Sequence, residues 1–458
     1  MIIIGGGLAG LSCAVALAEE GFRVCLLEKR PHLGGRATSF ILPGGEEIDN
    51  CQHVTMGCCT NLADFYRRVG AESQIRTYPR LFFLDARGRR GVIEAAGFPP
   101  PLHLAPSFAL FPSLTTADKR AISRAMFHIA WNSGRPPGVK GVSMQEWLAR
   151  QRQTPAAVER FWRTVLVSAL NEELDRTDAF YGVDVFWKAF LANRRGFEVG
   201  IPVVPLAELY DGCREPILKR GGEVRTRAGV ASVRLVGEKA TGVTLEDGAE
   251  MPADYVVSAV PHAAFLDLMP AVHIEREPAF AGVRHLEVSP ITGVHLWFDQ
   301  PLMQEPFLTL LDRTTQWVFN KTRLSGLPAN GAQYLQLVIS ASYDLVPISR
   351  QEIIALCLRE LQEALPASRE AHLEKATVIK EVAATFSPRP GCDRWRPTQG
   401  TALKNFFLAG DWTRTGWPAT MEGAVRSGYL AAEAILAAEG NHRRLVVPDL
   451  PTEGLSRW

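Results

Sequence analysis

The first 28 residues change character four times. A short apolar run at 2–4 gives way to three glycines, then to the apolar stretch LAGLSCAVALA, then to CLLE ending at Glu28. This order predicts a strand, a glycine turn, a helix and a second strand. Apolar and polar positions alternate again over 221–261, GGEVRTRAGVASVRLVGEKATGVTLEDGAEMPADYVVSAVP, which predicts a run of strands. Near the end, FFLAGDWTRTGWPATMEGAVRSGYLAAEAI predicts a strand, a polar turn and a helix beginning near Thr420. ITGVHLWFD and YLQLVISAS have the composition of strands, and a helix is expected over about 349–365. Residues 76–202 are expected to be mostly helical and are rich in apolar and aromatic positions.

With 458 residues the chain exceeds one ordinary core, so two or three domains are expected. Apolar residues make up 47% and charged residues 22%, the balance of a soluble globular protein. A net charge of +1 gives no long-range field to steer nucleic acid, and no nucleic-acid partner is expected. Cys13, Cys25, Cys51, Cys58, Cys59, Cys213, Cys357 and Cys392 contain no CxxC pair and are irregularly spaced. Neither a metal site nor a disulfide framework follows, and a reduced, cytoplasmic setting is expected. The 18 uncharged residues MIIIGGGLAGLSCAVALA tempt a membrane reading. They lack a basic n-region and a cleavage site, and the glycines split them into strand and helix. They read as a buried nucleotide-binding unit.

Gly5, Gly7 and Gly10 satisfy GxGxxG between the first strand and the helix. The first permits the tight turn, the second lets backbone approach a pyrophosphate, and the third lets helix and strand pack closely. Amides from Leu8 and Ala9 onward are expected to face the phosphates. Glu28, with Lys29 beside it, closes the second strand where a carboxylate can accept ribose hydroxyls. A second glycine doublet, Gly34 and Gly35, followed by Arg36, completes an E-x5-GGR extension.

That extension resembles the flavoprotein superfamily of amine oxidases and phytoene desaturases, in which it lies along the FAD pyrophosphate. The resemblance implies non-covalent FAD in a Rossmann-type, GR2-like α/β domain carrying an inserted mixed α+β substrate domain. It also implies that Val230 meets the adenine through its backbone. Gly410 and Asp411 would lie by the flavin chain, with Asp411 accepting one of its hydroxyls. Thr420 and Met421 would open a helix aimed at the flavin ring. The FAD-binding domain is then discontinuous, about 1–75, 203–270 and 401–440. Residues 76–202 and 271–400 form the substrate domain, and 441–458 a peripheral extension.

Amine oxidases of this superfamily place a lysine beside the flavin, from the strand represented here by ITGVHLWF. No lysine occurs between Lys239 and Lys321, which disfavours amine oxidation. The stretch IDNCQHVTMGCC, residues 48–59, contains D-N-x-Q-H-x3-G-C. With GDWTRTGWPATMEGAVRSG it resembles the hydroxysqualene dehydroxylases, the squalene-associated, FAD-dependent branch of the desaturases in bacterial hopanoid pathways. VVPLAELY (203–210) and SALNEEL (168–174) are also similar. Cys51 stands where that family leads one to expect glycine; its side chain either narrows the approach to the flavin or turns away.

Asp49 and Asn50 are expected to satisfy the turn's backbone. Gln52 and His53 are the candidates to face the reacting edge, with a purely structural histidine the alternative for His53. The resemblance implies that an acid assists departure of an allylic hydroxyl and that reduced flavin supplies hydride, giving squalene. No second nucleotide motif appears, so the electron donor is external or unidentified. A carotenoid-type desaturase, with hydride running the other way, and a non-catalytic lipid-escort protein are the rival readings.

GFPPPLHLAPSFALFPSLTT, residues 97–116, fits a long isoprenoid substrate in one of two ways. Its prolines prevent a long helix, yet Leu102, Leu104, Phe108, Leu110, Phe111 and Leu114 need cover. The segment is either a loop packed on its own domain or a lip that dips into the cytoplasmic face of a membrane.

Overall fold

The computed structural model describes residues 1–326 and 331–457. Ile2–Ile4 lies at the centre of a five-stranded parallel sheet. Cys25–Glu28 and Glu223–Thr226 follow on one side, Val256–Ser258 and Phe406–Leu408 on the other. Strands covered on both faces need apolar side chains in both directions, which is why III, VVS and FFL show no alternation. The helix Leu8–Glu19 connects the first two strands and is buried from Leu8 to Ala18. Burial on all sides explains its lack of charge. Among the described residues no helix is long and apolar enough to cross a membrane.

A second long helix, Met421–Ala438, packs against the first at very short range. A Cβ on Gly428 would lie 2.1 Å from Ser12 Oγ and 2.3 Å from the Ala9 carbonyl, so only glycine fits there. The strands expected over 221–261 form, but they divide between two sheets. Glu223–Thr226 and Val256–Ser258 join the parallel sheet, while Val230–Val236, Lys239–Leu245 and Glu250–Pro252 make an antiparallel one. The fold is the expected Rossmann-type α/β architecture with a mixed α+β insertion.

The insertion is organised by a seven-stranded sheet. Its order is Leu373–Phe386, Val288–Phe298, Gln333–Ser340, Trp317–Asn320, Phe307–Leu310, Arg80–Leu84 and Arg90–Glu94. All neighbours are antiparallel except Phe307–Leu310 beside Arg80–Leu84. The mostly helical expectation for 76–202 therefore needs correction at its start, where RLFFL and RGVIE are strands. The run LFFL hides its alternation because both faces of that strand are covered. One face of the sheet, with Leu84, Val294, Leu296, Leu308, Leu335 and Leu337, packs on the helix Arg350–Ala364. That helix occupies the span expected and starts with a capping box between Ser349 and Glu352. The other face turns toward residues 50–51 and a layer of helices that includes Thr116–Trp131, Thr164–Leu170 and Ala179–Val185. Residues 441–457 run back over the molecule, where Val447 N donates to Asn61 Oδ1 and Leu455 N to the Pro100 carbonyl.

Candidate active site

The two glycine motifs fold onto each other. Gly34 N donates to the Gly6 carbonyl at 2.8 Å, and Gly7 and Gly34 form a parallel bridge. Gly5 adopts φ +105° and Gly34 φ +99°, conformations that side chains resist. Gly10 serves packing: a Cβ there would lie 1.9 Å from the Gly5 carbonyl. Gly7 differs. Its nearest neighbour would be Gly35 Cα at 3.8 Å, so the protein leaves the space beside it open. Leu8 and Ala9 open the helix, and the first amides of a helix have no partner within it. This cradle fits a pyrophosphate.

Glu28 is buried at the end of its strand, its carboxylate accepting from Gly6 N at 2.7 Å and Arg30 N at 2.8 Å. It therefore fixes the glycine turn. Lys29 beside it is exposed. Ala228 N donates to the Glu28 carbonyl, which brings the segment leading into Val230 against the same strand end. On the far side, Arg36 reaches Asp411 Oδ2 at 2.8 Å, so the two distant motifs meet in an ion pair. Gly410 N donates to Ser427 Oγ at 2.7 Å. Thr420 caps the helix beginning at Met421, its hydroxyl accepting from Gly423 N at 3.0 Å.

The loop between Asp411 and Thr420 is shaped by a residue that the sequence did not single out. Arg396, fully buried, donates to the carbonyls of Asp411, Trp412, Thr413 and Trp417. One guanidinium thus satisfies four backbone acceptors that would otherwise be buried without partners.

The stretch at 49–53 departs most from expectation. Asp49 does not cap a turn; it pairs with Lys321, whose Nζ lies 2.7 Å from Asp49 Oδ2 and 3.1 Å from Gln52 Oε1. Both side chains are buried. Burial alone would raise the Asp49 pKa, but the Lys321 ammonium outweighs it, with help from Leu206 N and Ser39, and the net shift is downward. Asn50 does serve backbone, but that of Arg36, whose carbonyl accepts from its amide at 3.1 Å. Gln52 is held at both ends, accepting from Lys321 and donating to the His53 carbonyl at 3.1 Å. His53 Nδ1 lies 2.9 Å from the Cys51 carbonyl, which can only accept, so that nitrogen carries the proton. Burial lowers the His53 pKa, and the neutral ring therefore presents Nε2 as an acceptor.

Cys51 turns toward the strand Val288–Phe298, where Gly293 leaves room: a Cβ on Gly293 would lie 3.6 Å from Cys51 Sγ. Burial pushes its thiol up to about 12, so it is a packing group. All eight cysteines are unpaired. The strand ITGVHLWF brings a histidine, not a lysine. His295 is buried and its Nδ1 lies 2.6 Å from the Tyr334 hydroxyl.

Beyond this centre lies an apolar cavity of about 420 Å³. Phe83, Phe108, Phe111, Met126, Phe161 and Phe186 are among its walls. The segment 97–116 is part buried and part exposed. Phe111 and Leu114 are buried, and Phe111 stacks edge-on against Phe83 at 5.3 Å. Leu110 is 83% exposed and Leu102 47%. They are joined on the surface by Phe127 (64%) and Trp131 (76%) of the neighbouring helix.

A Rossmann-type sheet with a paired glycine cradle defines a dinucleotide-binding fold, and the inserted domain holds the apolar chamber. The chain belongs to the family described as flavin containing amine oxidoreductase, whose model matches residues 8–436. It is an FAD-dependent enzyme. It is 26% identical to a zeta-carotene desaturase of Synechocystis, over 97% of this chain and 99% of that one. It is 28% identical to a hydroxysqualene dehydroxylase of Sinorhizobium fredii, over 95% and 98%. Among solved structures, an oxidoreductase from Methanosarcina mazei superposes with a TM-score of 0.74 at 20% identity, covering 95% of this chain and 99% of that one. A putrescine oxidase bound to putrescine superposes at 0.71 and 17%, covering 95% and 98%. These structural likenesses establish the fold.

Proposed function

We propose that the protein removes the allylic hydroxyl of hydroxysqualene reductively, giving squalene. The observation that carries the substrate class is the apolar cavity, whose walls offer a hydrocarbon chain aromatic and aliphatic contacts throughout. The D-N-x-Q-H stretch, and the similarity to the Sinorhizobium fredii dehydroxylase over nearly the full length of both chains, favour an alcohol over a bare hydrocarbon. In this reading residues 1–75, 203–270 and 401–440 hold FAD, and 76–202 with 271–400 hold the lipid.

Gly7 lets the backbone approach the pyrophosphate, Gly5, Gly10, Gly34 and Gly35 shape the cradle around it, and Leu8 and Ala9 donate their amides. Glu28 and Val230 lie toward the adenosine end; Arg36, Gly410, Asp411, Thr420 and Met421 lie toward the flavin end. Bound FAD supplies hydride transfer. The chain's residues exclude water, orient the isoprenoid and bring polar groups to the departing oxygen. Gln52 and His53 border the reacting edge. Lys321 holds Gln52 in place and, paired with Asp49, is not the free amine-oxidase lysine.

The exposed Leu102, Leu110, Phe127 and Trp131 form the bilayer-facing lip through which the lipid enters. Arg120 is exposed on the same helix, where it suits anionic headgroups. The electron donor is a separate partner.

The similarity to carotenoid desaturases supports the opposite direction, hydride from hydrocarbon to flavin. Spectrophotometry separates the two. Photoreduced enzyme mixed anaerobically with hydroxysqualene should regain its oxidised flavin absorbance, and should not do so with squalene. Reduced enzyme that ignores hydroxysqualene, while oxidised enzyme is bleached by a polyene, would establish the desaturase reading.

A further inference from the structure

The inward face of the seven-stranded sheet carries buried polar atoms without partners, on His295, Gln336 and Thr309. His295 and Gln336 are directly paired across neighbouring strands, and Phe319 is paired with Gln336 on the far side. Opposed residues in a sheet point to the same face with Cβ atoms about 5 Å apart. Both side chains are completely buried. Gln336 has neither its amide nitrogen nor its amide oxygen satisfied, and His295 lacks a partner at Nε2. Leaving such groups unpaired costs about 1–3 kcal/mol each, so a leucine would serve the fold better.

Their position gives them a use. Phe83, Thr309, Trp317, Val338 and Gly293 are joined by successive strand pairings, a row running from the cavity wall at Phe83 to Gly293. A Cβ on Gly293 would lie 3.5 Å from the Asn50 carbonyl and 3.8 Å from His295 Nε2. The unpaired nitrogen therefore points along the sheet toward the segment that holds Gln52 and His53.

We propose that His295 and Gln336 form the seat for the hydroxyl of an otherwise hydrocarbon substrate. This inference rests on the dehydroxylase reading and names the groups that recognise the alcohol. Burial raises the Tyr334 pKa and lowers that of His295 to about 4, so both are neutral. Either ring nitrogen can then carry the proton; in the form the seat uses, the Tyr334 hydroxyl donates to Nδ1 and Nε2 bears the ring's own proton. A substrate oxygen seated here accepts from His295 Nε2–H and from the Gln336 amide, and donates to Gln336 Oε1. Two donors on one oxygen stabilise it as its bond to carbon lengthens. His53, with its proton turned to the Cys51 carbonyl, offers no such donor.

The test is the ratio of affinities for hydroxysqualene and squalene, read by titrating oxidised holoenzyme and following the flavin absorbance. Wild type should prefer the alcohol by roughly tenfold or more, the value of one or two hydrogen bonds. Gln336→Leu and His295→Phe should each bring the ratio toward unity while leaving squalene binding and the flavin spectrum unchanged. Should Gln336→Leu fail to fold, Gln336→Met, which keeps the side-chain length, should bring the ratio toward unity in its place. Variants that keep the full preference would overturn the seat and leave the dehydroxylase reading standing. A wild type that does not discriminate, and that is not reoxidised by the alcohol when reduced, would overturn both.

Discussion

Gly7 and Gly10 stand three residues apart in one turn, yet a methyl group meets different surroundings at each. At Gly10 it strikes the Gly5 carbonyl, whereas at Gly7 it enters open space beside Gly35. Gly10→Ala should therefore destabilise the apoprotein itself, lowering its melting temperature. Gly7→Val should leave the apoprotein folded, by circular dichroism, and abolish FAD retention through occupation of the pyrophosphate's place. A Gly7→Val protein that purifies yellow, with full flavin, would contradict the cradle. Lys321 permits a second test at this scale. Lys321→Met leaves Asp49 buried without its cation and should cost about 3–5 kcal/mol in urea unfolding. The double change Asp49→Leu with Lys321→Met should recover much of that loss. Asp49 has its folded pKa depressed, so its contribution is present above the ordinary value of about 3.9 and is lost as pH falls through the lower folded value. With Lys321 replaced, burial acts on Asp49 without its cation and raises the folded pKa, so the sign reverses: the variant's loss relative to wild type should shrink as pH falls and Asp49 takes up its proton.

Elements with strong local signals were legible in the sequence. The strand–turn–helix–strand at 2–28, the helix capped by Thr420 and the strands within 221–261 form where their patterns placed them. The site was legible only where one motif carried it. The ion pair of Asp49 with Lys321 joins residues 272 apart in sequence, and no spacing rule reaches that far. Arg396 resembles any arginine until its four carbonyl acceptors are seen. His295 lies in the strand whose missing lysine drew attention, so its presence was the one signal available. Residues 97–116 show the same limit: composition cannot separate Phe111, buried on Phe83, from Leu110 on the surface. The exposed side chains therefore carry the test of membrane binding. Leu110→Ser with Phe127→Ser should reduce co-sedimentation with anionic liposomes and leave the flavin spectrum intact. Phe111→Ser should instead lower stability by about 3–5 kcal/mol, as loss of a buried aromatic does. Equal sedimentation by wild type and the Leu110, Phe127 variant would leave 97–116 as a packed loop.

At the scale of the whole molecule, a parallel sheet carries the cofactor cradle and a mixed sheet divides its faces between two tasks. One face builds a core with the helix Arg350–Ala364; the other carries Phe83 of the cavity wall at one end and meets residues 50–51 at Gly293. Under the proposed function, a hydrocarbon chain would lie against the aromatic side chains and its one polar group would meet the polar ones. The most direct test follows the hydrogen itself. Photoreduced enzyme is equilibrated in deuterated water, mixed anaerobically with hydroxysqualene, and the lipid is analysed by mass spectrometry and NMR. The product should be squalene carrying one deuterium, at the carbon that lost its hydroxyl. Recovery of unchanged hydroxysqualene from the reduced enzyme, with new double bonds appearing in a polyene given to the oxidised enzyme, would contradict it.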